Sequence, residues 1–164
     1  MKILVLSDTH CEPGEALPAA VLAAAKDADL IIHAGDLVHP GVVDALRAAG
    51  TAEVEAVAGN MDSAAGKHQF PAKKLLTIGR FRIGVTHGAG APTGMEHRVL
   101  GMFPGADVVI HGHTHQPVIE TVDETLLLNP GSPTDNRYAP YHSFAWLYLD
   151  DAAAPRAELV RLEA

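Results

Sequence analysis

Short apolar runs alternate with polar loops and amphipathic stretches along most of this chain. Residues 2–7 (Lys-Ile-Leu-Val-Leu-Ser) are almost continuously apolar, as in a strand buried on both faces, and stop at Asp8-Thr9-His10. Residues 16–28 are alanine-rich, with Leu17, Val21, Leu22 and Ala25 at helical spacing and Pro18 near the start, where a missing N–H is tolerated. Residues 29–33 repeat the strand pattern and end at Ala34-Gly35-Asp36, residues 41–49 form a second short helix, and residues 53–58 form a third strand ending at Gly59-Asn60-Met61-Asp62. Residues 73–78 and 81–86 flank Gly79-Arg80 as a hairpin whose second strand runs into His87-Gly88. A helix over 93–103, a strand over 107–110, a hairpin of 118–122 and 125–128, and closing strands at 144–149 and 157–162 complete the pattern. In an open α/β sheet ligands bind beyond the carboxyl ends of the strands, so these polar loops should gather at one edge.

The most informative stretch is Val108-Val109-Ile110-His111-Gly112-His113-Thr114-His115, where an apolar strand delivers three histidines onto a turn. Alternate residues on extended backbone point the same way, so His113 and His115 are expected to converge, with Gly112 allowing the turn. Taken with Asp8, His10, Asp36, Asn60 and His87, they make seven oxygen and nitrogen donors at predicted strand ends. Without a thiolate cluster, such a set suits manganese, iron, zinc, nickel or cobalt better than calcium or a structural cysteine site. Seven donors exceed the need of one ion with an open position, whereas two ions about 3.5–4 Å apart, sharing a carboxylate, would use them all.

Composition narrows the function. At 164 residues the chain fits one domain, residues 1–164, and its 12 basic against 20 acidic residues give a net charge of −8, a poor background for stable nucleic-acid binding. A phosphorylated small molecule is still attracted locally, because bound dications dominate the field of their own site. The single Cys11 forms no internal disulfide, and neither an apolar run of about 20 residues nor a signal-peptide pattern is seen, so a cytoplasmic protein without membrane contact is expected.

Asp8-Thr9-His10, Gly35-Asp36, Gly59-Asn60-Met61-Asp62, His87-Gly88 and Gly112-His113-Thr114-His115 resemble, in order and spacing, the five motifs of the calcineurin-like metallophosphoesterase superfamily. With the late Asn129-Pro130-Gly131-Ser132 and the short length, the chain is similar to the small bacterial and archaeal phosphodiesterase branch, to which the eukaryotic retromer subunit is also related. The resemblance implies an α/β fold of αββα sandwich type, two mixed β-sheets flanked by helices. It also implies two divalent metal ions, manganese first, with Asp8, His10 and His115 on one, Asn60, His87 and His113 on the other, and Asp36 bridging. A bridging hydroxide would then attack phosphorus in line, with Asn60 and His113 touching a phosphate oxygen. Relatives of this kind imply a homodimer or homotetramer acting on a small phosphoester.

One position departs from the superfamily pattern. A histidine that protonates the leaving group is common where this chain has Met61, and a thioether has no proton to give, so phosphodiesters with good leaving groups should react best. Asp62, which would orient that histidine, is expected either to support the site from behind or to be a solvated turn residue. His33 and His111 read as buried supports, His97 and His142 as carrying no site role, and His39 and His68 as surface residues on loops that could overhang the site, with a substitute acid as the alternative. Arg137 reads as an exposed arginine with a phosphate contact as the alternative, and Cys11 stays outside the ligand set. The rival function is a metal-binding scaffold or interaction module of the same fold, for which Met61 is the argument and the intact ligand set the counter-argument.

Overall fold

In chain order the elements are β1 (Lys2–Leu6), α1 (Ala19–Asp27), β2 (Leu30–His33), α2 (Gly41–Ala49), β3 (Glu53–Ala56), α3 (Ala64–Gln69), β4 (Lys73–Ile78) and β5 (Phe81–Thr86). They continue with α4 (Met95–Met102), β6 (Val108–Ile110), β7 (Val118–Val122), β8 (Thr125–Asn129), β9 (His142–Tyr148) and β10 (Arg156–Leu162). They belong to a computed structural model that describes residues 1–12, 15–135 and 137–163. One five-stranded sheet runs β10-β9-β1-β2-β3 and the other β4-β5-β6-β8-β7. Both are mixed: β1-β2-β3 and β5-β6-β8 pair in parallel, while β9, β10, β4 and β7 pair antiparallel.

The period of two in each strand builds four layers. Ile3 and Val5 of β1, Val108 and Ile110 of β6, Leu126 and Leu128 of β8, and Ala145 and Leu147 of β9 meet in the core between the sheets. The alternate residues Leu4, Leu6, Phe144 and Trp146 face the other way and pack against Val21 and Ala25 of α1 and Val42, Val43 and Leu46 of α2. On the far side Val109 and Leu127 meet Met95 and Val99 of α4. Both faces of the central strands are therefore buried, which is why their sequences read as continuous apolar runs.

This is the expected sandwich of two mixed sheets flanked by helices. The first helix begins at Ala19 rather than residue 16, because Pro18 sits before its first turn and its carbonyl accepts from Val21 and Leu22 N–H. Helix α3 was not expected: five of its six residues are solvent-facing, so it has no apolar period, and its sequence signal is the capping residue Ser63, whose hydroxyl accepts from Gly66 N–H at 3.2 Å. The third strand ends at Ala56, two residues early, since Ala58 N–H leaves the sheet register to donate to Pro71 C=O.

All five motif loops follow strand ends on the same edge. Asp8 and His10 follow β1, Asp36 follows β2, Asn60 follows β3, His87 follows β5, and His113 and His115 follow β6. Because the two sheets stack across one core, loops from both meet at that edge. Leu127, fully buried against α4, is the single-residue test of the outer layer. Leu127→Ala should lower unfolding free energy by about 2–5 kcal/mol in urea titrations, and a loss under about 1 kcal/mol would show that this layer is not packed as described.

Candidate metal centre

The loop backbones are unusual before any side chain is considered. Asp8, His10, Asp36, His113 and His115 all have positive φ, at 56°, 43°, 56°, 71° and 58°. Non-glycine residues rarely adopt this left-handed region, and each such residue costs on the order of 1–3 kcal/mol unless its surroundings enforce it. His113 and His115 therefore do not converge by extended alternation, as the sequence suggested; two left-handed residues around Thr114 bring them to the centre. Gly112 is required by contact as well as by the turn, because a Cβ there would strike Ser7 Oγ and Asp8 Oδ2. At Gly59 a Cβ would collide with the backbone and carboxylate of Asp36.

Seven predicted donors lie around this edge. The first group is Asp8, His10 and His115: His115 Nε2 is 3.3 Å from Asp8 Oδ1, His10 Nε2 is 3.7 Å from it, and the two imidazole nitrogens are 3.2 Å apart. The second is Asp8, Asp36 and His87, with His87 Nε2 3.2 Å from Asp36 Oδ2 and 3.6 Å from Asp8 Oδ1. Asp36 Oδ2 also lies 3.5 Å from His10 Nε2, and Asp8 Oδ1 is within 3.7 Å of His10, His87 and His115, so an oxygen of each carboxylate faces both groups. Asn60 and His113 continue the second group, with Asn60 Oδ1 3.2 Å from His113 Nδ1 and the His113 ring edge-on to His87 at 5.3 Å between centroids.

These separations suit donors sharing a cation. Ligands bound at about 2.1 Å in a tetrahedron stand about 3.4 Å from one another, and less at a right angle. The protonation pattern agrees. His87 Nδ1 lies 2.8 Å from Ala34 C=O, His115 Nδ1 3.1 Å from Asp135 C=O, and His113 Nε2 2.9 Å from Gly90 C=O. A carbonyl only accepts, so each ring donates outward and its other nitrogen, a lone pair in the neutral ring, points inward. Among the described residues three buried side-chain atoms have no hydrogen-bond partner, and two of them, Asp8 Oδ1 and His87 Nε2, face this centre. Buried polar atoms are rarely left so, and a divalent cation supplies what both need.

The charges are strongly coupled. Burial works against ionisation of Asp8, but the imidazoles of His10, His115 and His87 around it hold its carboxyl far below the usual range. Burial likewise opposes ionisation of Asp36, and His87 together with Met61 N–H brings the net shift down. For His87 and His115 burial favours the neutral ring, yet Asp36 beside the first and Asp8 beside the second raise both pKa values overall.

The outer oxygens are tied to the protein. Asp8 Oδ2 accepts from Ser7 Oγ at 2.8 Å and His113 N–H at 3.1 Å, and Asp36 Oδ1 accepts from Met61 N–H at 2.8 Å. Asp62 is buried and accepts from Asp36, Val38 and Gly59 N–H at 3.1, 2.7 and 2.7 Å. It is thus neither a solvated turn residue nor a group facing substrate: it clamps the Asp36 and Asn60 loops together.

Other supports carried weaker signals in the sequence. Ser132 Oγ donates to Asp8 C=O at 2.7 Å, Thr134 Oγ1 donates to Thr9 C=O, and Asn129 Nδ2 donates to Thr114 Oγ1 at 3.0 Å, so the Asn129-Pro130-Gly131-Ser132 segment buttresses the first and last metal loops. His33 is fully buried, accepts from Gly35 N–H through Nδ1 and donates to Thr9 Oγ1; burial pushes its pKa down to about 3, so it stays neutral. His111 is fully buried behind the turn. His39 Nδ1 accepts from Gly41 N–H, His68 lies exposed on α3, and Arg137 is paired with Asp135 at 2.6 Å. Met61 contributes its N–H, while its side chain is exposed.

Residues 1–152 match the family model described as the calcineurin-like phosphoesterase superfamily domain. A probable metallophosphoesterase of Methanothermobacter thermautotrophicus is 46% identical over 137 residues, 82% of this chain and 78% of that one. A phosphodiesterase of Methanocaldococcus jannaschii is 30% identical over 142 residues, covering 80% and 83% of the two chains. Wild-type Vps29 of Entamoeba histolytica, solved with Zn2+, superposes with a TM-score of 0.74 at 26% identity, covering 98% of this chain and 99% of that one.

The clamp and the bridge are separable by metal counting. Asp36→Ala should abolish tight binding at both positions, and elemental analysis finding two tightly held ions in that variant would refute its bridging role. Asp62→Ala, which leaves every ligand in place, should weaken metal affinity about 10–100-fold in competition titrations against a chromogenic chelator. Unchanged affinity would mean that the loops hold their conformation without it.

Proposed function

The chain belongs to the calcineurin-like phosphoesterase superfamily, and we propose that it is a metal-dependent phosphoric ester hydrolase acting mainly on small phosphodiesters. The observation that carries this reading is the set of inward-facing donors: three imidazoles turned by backbone carbonyls, and two buried carboxylates with an oxygen each, Asp8 Oδ1 and Asp36 Oδ2, between two groups. Two dications held there, manganese first and iron, zinc, nickel or cobalt as alternatives, would supply charge for phosphate oxygens and a water acidic enough to ionise near neutral pH. The Zn2+ in the Vps29 neighbour and the phosphodiesterase relative support this class of chemistry.

The residues divide the work. Asp8 and Asp36 are fixed through their outer oxygens, so the inner ones are preorganised and need no rearrangement. Asn60 is exposed and His113 half-buried, so both can reach a phosphate oxygen from the rim and stabilise charge on the phosphoryl group. No proton donor stands at position 61, and leaving groups of low pKa are favoured. The reading extends to a cytoplasmic homodimer or homotetramer that acts on a small phosphoester and binds neither nucleic acid stably nor membrane. No helix among the described residues is long and apolar enough to cross a membrane, and the net charge of −8 disfavours polyanion wrapping. The exposed Met61 side chain favours a second reading, a metal-holding scaffold with little turnover.

Chelator-stripped protein should lose hydrolysis of an activated aryl phosphodiester and recover it with manganese, nickel or cobalt more than with magnesium, which suits imidazole ligands poorly. Full activity in magnesium alone, or activity surviving metal removal, would contradict this; metal binding without turnover would establish the scaffold. For the acid, log rate against leaving-group pKa across aryl phosphodiesters should fall steeply, and Met61→His, which keeps the N–H to Asp36, should flatten it. The gain is greatest for poor leaving groups, up to the ~10²–10⁴-fold of a positioned acid. A shallow slope in the unaltered protein would show that another group already donates.

A further inference from the structure

Beside the second donor group lies a cavity of about 690 Å³ that shares Asn60 and His87 with it. Beyond those two residues its wall is largely apolar, formed by Ala58, Phe70, Ala72, Ala89 and Met102. Met102 is 39% exposed, an unusual state for a large apolar side chain, and it faces this space. Two of the chain's 12 basic residues, Lys67 and Lys73, also line it, while no carboxylate does so, in a protein of net charge −8. On the opposite flank, the cavity beside His10 contains Glu15 and Asp135 and has neither this apolar wall nor a lysine. The two sides of the centre therefore differ in chemistry, and only one is built for an apolar group joined to an anion.

We propose that this cavity binds one organic arm of the phosphoester, an aryl or nucleobase-sized group, while the phosphoryl group sits at Asn60 and His87. The proposal deepens the hydrolase reading and rests on it. An apolar wall rewards a flat ring by removing its surface from water, and the two lysines favour the anion to which the ring is attached. The cavity exceeds the size of a phosphate, so a small alkyl ester leaves it mostly unfilled. Specificity would then come from the arm, through the loops after β3 and β5 and helices α3 and α4.

Bis(4-nitrophenyl) phosphate and methyl 4-nitrophenyl phosphate release the same phenolate and differ in the arm that stays behind. Ala72 and Ala89 are exposed and line the cavity, so Ala72→Trp or Ala89→Trp fills it without disturbing a core. In the manganese-loaded protein the ratio of kcat/KM for the diaryl over the methyl ester should fall about tenfold in either variant, the scale of one lost aromatic burial. The change is expected mainly in KM for the diaryl ester. Equal losses on both esters, or an unchanged ratio in both variants, would overturn the proposal. A second arm is independent of turnover: phenylphosphonate, but not methylphosphonate, should shift the methyl NMR signals of Ala72 and Met102 in zinc-loaded protein. Shifts confined to the centre itself would count against the cavity. If neither ester is hydrolysed, the hydrolase reading fails alone and the phosphonates decide whether the cavity takes an aryl arm.

Discussion

Two carboxylates removed from water, Asp8 at 0% exposure and Asp36 at 2%, set the terms for the rest of the molecule. A buried anion without compensation is one of the costliest features a fold can contain, and here two stand against the same imidazole, His87. The protein answers with backbone and hydroxyl donors on their outer oxygens and with imidazoles on their inner ones. Each carboxylate and imidazole favours the other's charged form, so the carboxyl pKa values lie below their usual range and those of His87 and His115 above theirs. A divalent cation would meet the same demand more completely, and Asp8 Oδ1 and His87 Nε2, which have no hydrogen bonds, face the place where it would sit.

Holding those groups in place requires backbone that a free chain avoids. Five of the predicted ligands are left-handed, which is affordable only because rigid strands enter each loop and because Asp62, Ser132 and Thr134 fasten one loop to another. The sandwich supplies the rigidity: β1, β2 and β3 from one sheet and β5 and β6 from the other end at one edge, with their side chains locked between layers. Strain at the site and packing beneath it are thus parts of one design.

The same architecture leaves the edge open. Substrate selection falls to what borders the centre. One flank is apolar with lysines and the other acidic, and residue 61 offers no acid. A phosphoester whose organic part is sizeable and whose leaving group departs unaided fits that border.

Much was legible in the sequence. Period-two and near-continuous apolar runs at β1, β2, β6 and β8 revealed the central strands, because burial on both faces leaves a compositional trace. The ordered polar motifs at their ends pointed to the candidate donors, since the chemistry of imidazole and carboxylate belongs to the residue type. The short solvent-facing α3 left hardly any trace, because a helix without an apolar stripe has no period to read. The sequence also could not disclose that Asp62 clamps two loops, that Asp135 and Gly90 contribute carbonyls that orient His115 and His113, or that those histidines converge through left-handed backbone. Residue type and local spacing determine what a side chain can donate or bury. Which backbone group it meets across 26 or 105 positions of chain is decided only when the sheets stack, because those contacts depend on distances that no local pattern contains.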